Sequence, residues 1–112
     1  MKSRPNMLFI MSDQHSKFHL GCYGDPLVWT PHLNRLASEG MTFTNAYTAA
    51  PLCVPARMAF MTGRRPSANQ VWTNDHILSS ALPTWAHAIG ALGYETALIG
   101  RMHFVGADQR HG

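Results

Sequence analysis

The sequence predicts an α/β fold in which parallel strands are flanked by helices. Three observations carry this. Met7-Leu8-Phe9-Ile10-Met11 is a continuous apolar run, the pattern of a strand buried on both faces. Amphipathic helical stretches at 31–40 and 85–92 are each followed by a β-rich run, at 41–47 and 94–99, which gives a βαβ-like order. Polar groups stand at the C-terminal ends of two predicted strands, Asp13 after the first and Arg101-Met102-His103 after the last. That edge of a parallel sheet is where ligands bind.

Composition bounds the reading further. The 112 residues are 46% hydrophobic and 13% charged, as in one small globular unit rather than a disordered tail. The formal charge is +3, and Lys and Arg do not cluster beyond Arg64-Arg65, so no nucleic-acid stripe is expected. No apolar run approaches roughly 18 residues, so no membrane span is expected. Residues 6–11 are too short for a signal sequence and are followed by Asp13, which makes a cytoplasmic location the expectation. Cys22 and Cys53 could form one disulfide, but two cysteines do not make a disulfide scaffold.

Taken in order, the first run delivers Asp13 and Gln14. Asp13 either caps a turn or offers hard oxygen to a divalent cation. His15, His19 and Cys22 match no common zinc spacing and supply only three ligands. Residues 21–26 hold Gly, Asp and Pro and read as loop. Thr30 and Pro31 suit the cap and first position of a helix, with Leu33, Leu36 and Ala37 on one face and Gly40 at its end. Residues 41–47 alternate and read as a short strand.

Pro51-Leu52-Cys53-Val54-Pro55-Ala56-Arg57-Met58-Ala59-Phe60-Met61-Thr62-Gly63 is a turn feeding a helix. Pro55 is tolerated in a first turn, and Gly63 fits the position just past a helix end. A helix N-terminus presents unpaired N–H groups and partial positive charge, which favour anionic groups. Arg57, one turn beyond Cys53, adds a donor fork for sulfate or phosphate. On its residues alone, Cys53 is either a small buried hydrophobe or a reactive group beside an oxyanion pocket. Residues 64–75 are polar and read as surface loop, carrying Asn74, with His76 just after them. A second helix opens at 82–84, places Trp85, Ala88, Ile89 and Leu92 on one face, and closes at Gly93.

Cys-x-Pro-x-Arg at 53–57, followed by Met61-Thr62-Gly63-Arg64, resembles the signature of type I sulfatases in the alkaline-phosphatase superfamily. Asp13 matches that family's first metal-ligating aspartate. Gln14 stands where many members have a second aspartate, as in the choline-sulfatase and phosphonate-monoester-hydrolase branches. Arg101-x-His103 occupies the place of the family's Lys-x-His, and the run from Met102 to Gly112 looks especially like choline-sulfatase-type members. Ala56 departs from the serine common at its position. The resemblance covers essentially the whole chain, so residues 1–112 are expected to form the N-terminal part of a sulfatase catalytic domain.

What the resemblance implies is specific. Cys53 would be oxidised to formylglycine by a formylglycine-generating enzyme. Asp13, Gln14 and Cys53 would face a divalent cation, Ca²⁺ foremost, with Mn²⁺ or Mg²⁺ as alternatives. Arg57 would orient the modified residue. His103 would join catalysis, and Asn74, Arg101 and His103 would contact the substrate, a small-molecule sulfate ester. An oligomer is compatible with the full-length protein. The hydrate of an aldehyde offers two hydroxyls on one carbon, one to attack sulfur and one to expel sulfate by re-forming the carbonyl. Sulfatases are several times longer than this chain, and their remaining metal ligands and general acid lie downstream. The 112 residues alone are therefore not expected to be active. A phosphonate or phosphate ester hydrolase of the same superfamily is the neighbouring reading. A non-catalytic α/β remnant with a plain thiol at Cys53 is the third.

Overall fold

The computed structural model describes residues 4–103. Its chain divides into two compact units, Met1–Ala46 and Tyr47–Gly112. Among the described residues the elements are two short 3₁₀ turns, Lys17–His19 and Gly21–Tyr23, and four helices: α1 Pro31–Glu39, α2 Cys53–Thr62, α3 Pro66–Asn69 and α4 Trp85–Ala91. No helix there is long and apolar enough to cross a membrane.

The first unit is built on hydrogen bonds more than on burial. Ser16 accepts the Phe18 N–H and caps the first 3₁₀ turn. Thr30 stands at the N-cap of α1 as expected, but its hydroxyl oxygen accepts the Gly21 N–H at 3.0 Å instead of capping the helix. The same hydroxyl donates to Asn34 Oδ1. A Cβ at Gly21 would stand 2.6 Å from Asn34 Nδ2, so any larger residue there would have to displace that amide. Asp25 Oδ1 accepts the N–H groups of Leu27 and Val28, and Oδ2 faces His19 Nδ1 at 3.2 Å. The Leu27 bond, aided by His19, holds the Asp25 carboxyl below its ordinary range. Tyr23 Oη donates to the Phe43 carbonyl, and Lys17 Nζ to the Thr44 carbonyl, so the chain after α1 is tied back to the 3₁₀ turns.

The second unit holds the core. Val54 and Met58, at i and i+4 of α2, are both 1% exposed and pack with Val71, Leu78 and the half-buried Leu82. Gly63 ends α2 at φ +64°, a left-handed conformation that favours glycine. Phe60 meets Trp85 of α4 edge to face, with ring centroids 6.0 Å apart. Thr84 and His87 form a capping box at the start of α4, where His87 Nδ1 accepts the Thr84 N–H.

Two expectations are corrected here. Among the described residues no strand forms, so the α/β reading with parallel strands does not hold for them. Residues 7–11 run without ladder bonds, and Leu8 and Ile10 are more than four-fifths exposed. Residues 41–47 contain a turn, and 94–99 likewise form no strand. The physical reason is that a strand is the property of a pair. Apolar and β-branched content favours extended backbone, but the N–H and C=O groups need a neighbour. The second correction concerns 64–75, expected to be surface loop. It contains α3, and Pro66, Asn69 and Val71 are buried. Asn69 is tolerated there because its amide donates to the Arg64 carbonyl and accepts the Val71 N–H.

Candidate active site

The site in the second unit begins with the register of α2. Val54, Met58 and Met61 turn to the core. Cys53 and Arg57 stand one residue earlier in each of the first two turns, so they share the neighbouring face at i, i+4 spacing. Both are half-buried. Cys53 is the first residue of the helix and a free thiol, as is Cys22, so the disulfide considered from the sequence does not form.

Two long-range contacts complete the cluster. Asn74 Oδ1 accepts the Val54 N–H at 3.0 Å, across 20 residues of sequence. It caps one of the orphan donors of the α2 N-terminus directly beside Cys53. Engaging Oδ1 fixes the amide's orientation and leaves Nδ2 as its donor end. Arg57 Nη1 donates to the carbonyls of Arg101 and Met102, each at 3.0 Å. This clamp pins the backbone immediately before His103. The Arg101 side chain itself is exposed and His103 is half-buried. Thus Cys53, Arg57, Asn74 and the 101–103 segment, all nominated from the sequence, belong to one connected arrangement.

The first unit carries Asp13 and Gln14. Both are exposed and follow the apolar run at a bend. Gln14 has φ +57°, and His103 has φ +49°. Two of the three non-glycine residues with left-handed backbone among those described are therefore nominated site residues. Such conformations cost about 1–3 kcal/mol and cluster at functional sites. Carboxylate and amide oxygens are the donor type a hard divalent cation takes, and fit Ca²⁺ or Mg²⁺ in kind. Among the described residues, however, no group of three or more His, Cys, Asp or Glu side chains comes together to hold a metal.

Sequence reasoning missed the helix-capping role of Asn74 and gave His76 no role. In the structure His76 Nδ1 accepts the Trp72 N–H at 2.9 Å within the loop that carries Asn74. The polar Thr73-Asn74-Asp75 stretch signalled a turn, but nothing local signalled its partner 20 residues earlier.

Comparison with known proteins bears on the same residues. A family model described as Sulfatase matches residues 5–112. The choline-sulfatase of Rhizobium meliloti is 46% identical over 110 residues, covering 97% of this chain and 21% of that protein. The human steryl-sulfatase is 41% identical over 112 residues, covering 90% and 19% respectively. An N-acetylglucosamine-6-O-sulfatase of Bacteroides thetaiotaomicron is 34% identical over 106 residues, covering 95% and 19%. The chain spans about a fifth of the length of these curated relatives. The family match runs from before Asp13 to beyond His103 and takes in the whole Cys53 arrangement, and by it the chain belongs to the sulfatase family.

Proposed function

We propose that the full-length protein hydrolyses sulfate monoesters at a site centred on Cys53, matured to formylglycine by a formylglycine-generating enzyme. One observation carries the reading: the helix that starts at Cys53 gathers Asn74 onto its first turn and, through Arg57, the backbone leading into His103. A sulfate monoester is anionic and repels a nucleophile, so the site must supply positive charge and N–H donors. The positive end of the α2 dipole, the Arg57 guanidinium and the Asn74 amide supply them. Asp13 and Gln14 would hold a divalent cation, Ca²⁺ foremost, which would neutralise charge on the ester and the attacking oxygen. The aldehyde hydrate at residue 53 would supply one hydroxyl to attack sulfur and a second to release sulfate. Arg57 would orient that residue, and His103 with Arg101 would bind it or the sulfate. In the complete fold we expect residues 7–11, 41–47 and 94–99 to take up positions in a parallel sheet, which would bury their exposed apolar side chains.

The Asp13-Gln14 pair favours a second reading, a phosphonate or phosphate ester hydrolase, because a neutral amide in place of a second carboxylate changes the charge facing the ester. Turnover of matched 4-nitrophenyl sulfate and phenylphosphonate esters by the full-length protein separates the two. The expected result is a kcat/KM for the sulfate at least about tenfold above that for the phosphonate, a difference of roughly 1.4 kcal/mol in transition-state stabilisation. The reverse preference would establish the second reading.

A further inference from the structure

The loop that delivers Asn74 is itself held by a side chain with no assigned role. Residues 72–76 leave the core at Val71, which is fully buried, and return to it at Leu78, which is 3% exposed. Between those anchors the chain closes on itself three times. His76 Nδ1 faces the Trp72 N–H at 2.9 Å. The His76 N–H reaches the Thr73 carbonyl at 3.3 Å. Asp75 N–H reaches Thr73 Oγ1 at 3.4 Å. Asn74 stands at the apex of this closed turn and extends to the Val54 N–H.

We infer that His76 is a positioning residue: its imidazole staples the 72–76 turn and so holds Asn74 on the first turn of the Cys53 helix. A backbone N–H can only donate, so the ring nitrogen at 2.9 Å from Trp72 N accepts, and the ring proton resides on Nε2. The Gln70 carbonyl lies 3.2 Å from the same nitrogen and has no proton to receive in that tautomer. Without the staple, Asn74 would have to order several loop residues each time it met Val54, at a cost in backbone entropy. With it, the amide is presented in one place, its oxygen on the Val54 N–H and its Nδ2 left as its donor end. A displacement of an anion-contacting group by about 1 Å can lower a rate by as much as 10²-fold, so a residue that touches no substrate can still govern the rate.

This inference rests on the sulfatase reading for its kinetic consequence but not for its structural one, and the test separates them. In the full-length protein, His76→Ala, His76→Asn, Asn74→Ala and the Asn74→Ala/His76→Ala pair are compared with wild type. Hydrolysis of 4-nitrophenyl sulfate and amide hydrogen exchange at Val54 and Trp72 are both read. Asparagine can accept from Trp72 N–H as the imidazole does. We expect His76→Ala to lower kcat about tenfold, more than it raises KM, and to speed exchange at Val54 as well as Trp72. His76→Asn returns kcat to within about threefold of wild type, and His76→Ala adds nothing on the Asn74→Ala background. Unchanged exchange at Val54 in His76→Ala, an additive double variant, or an asparagine variant as impaired as alanine would overturn the inference. If wild type turns over no sulfate ester, the sulfatase reading fails, and Val54 exchange still decides whether His76 holds Asn74.

Discussion

On the proposed reading, Cys53→Ala is expected to remove sulfate-ester hydrolysis from the full-length protein, with kcat falling at least about 10³-fold, the loss that follows when a covalent nucleophile is removed. The substitution is a clean one. Cys53 stands at the first position of α2 on the face beside the core, whereas Val54 and Met58 are the residues that pack inward. Alanine there keeps the helix start, and the Asn74 bond goes to Val54 N–H rather than to the residue replaced. The thermal midpoint should therefore shift by only a few degrees, about what 1 kcal/mol produces in a domain of ordinary size. Lost activity with retained stability assigns the effect to chemistry at residue 53. Retained activity in this variant would remove the cysteine from the mechanism.

Arg57→Ala has the next largest effect, and it arises in two ways. One guanidinium nitrogen serves the carbonyls of both Arg101 and Met102, so truncation releases the segment entering His103. It also removes a fixed positive charge one turn from Cys53, where the ester's negative charge must be accommodated. Together these are expected to lower kcat/KM by about 10²–10³-fold, close to what loss of one preorganised oxyanion donor costs. Faster amide exchange over 101–103 would report the first part independently of turnover. His103 occupies a left-handed conformation that its surroundings must impose, so its position is expected to be sensitive to this clamp. A variant with near-normal kcat/KM and unchanged exchange would show that the clamp is dispensable.

How far these features could be read from the sequence depends on the distance over which each is determined. Helices α1, α2 and α4 were legible because their signals are local: Pro31 at a first position, Gly63 past an end, and apolar side chains spaced three and four apart. The i, i+4 placement of Cys53 and Arg57 follows from the same period. Helix α3 was not legible, because a four-residue turn in a polar stretch has no period, and Asn69 is buried only through partners at 64 and 71. The strand expectations failed for a related reason. Residues 7–11 have the composition of a buried strand, but pairing is decided by chain elsewhere, and among the described residues they form no strand. At the site, the family resemblance nominated Asn74 and His103. It did not foresee that Asn74 would cap the Cys53 helix or that Arg57 would reach backbone carbonyls 44 and 45 residues away. Those are tertiary contacts, and no local pattern encodes them.

The most direct test is the mass of the tryptic peptide that ends at Arg57 and carries residue 53, taken from full-length protein produced with a formylglycine-generating enzyme. Exchanging the SH and one hydrogen of Cys53 for a carbonyl oxygen lowers that mass by about 18 Da, an oxidation beyond the ordinary thiol state. A peptide lighter by that amount is the predicted result. Only the mass of unmodified cysteine, with the maturation enzyme present and competent, would contradict the account.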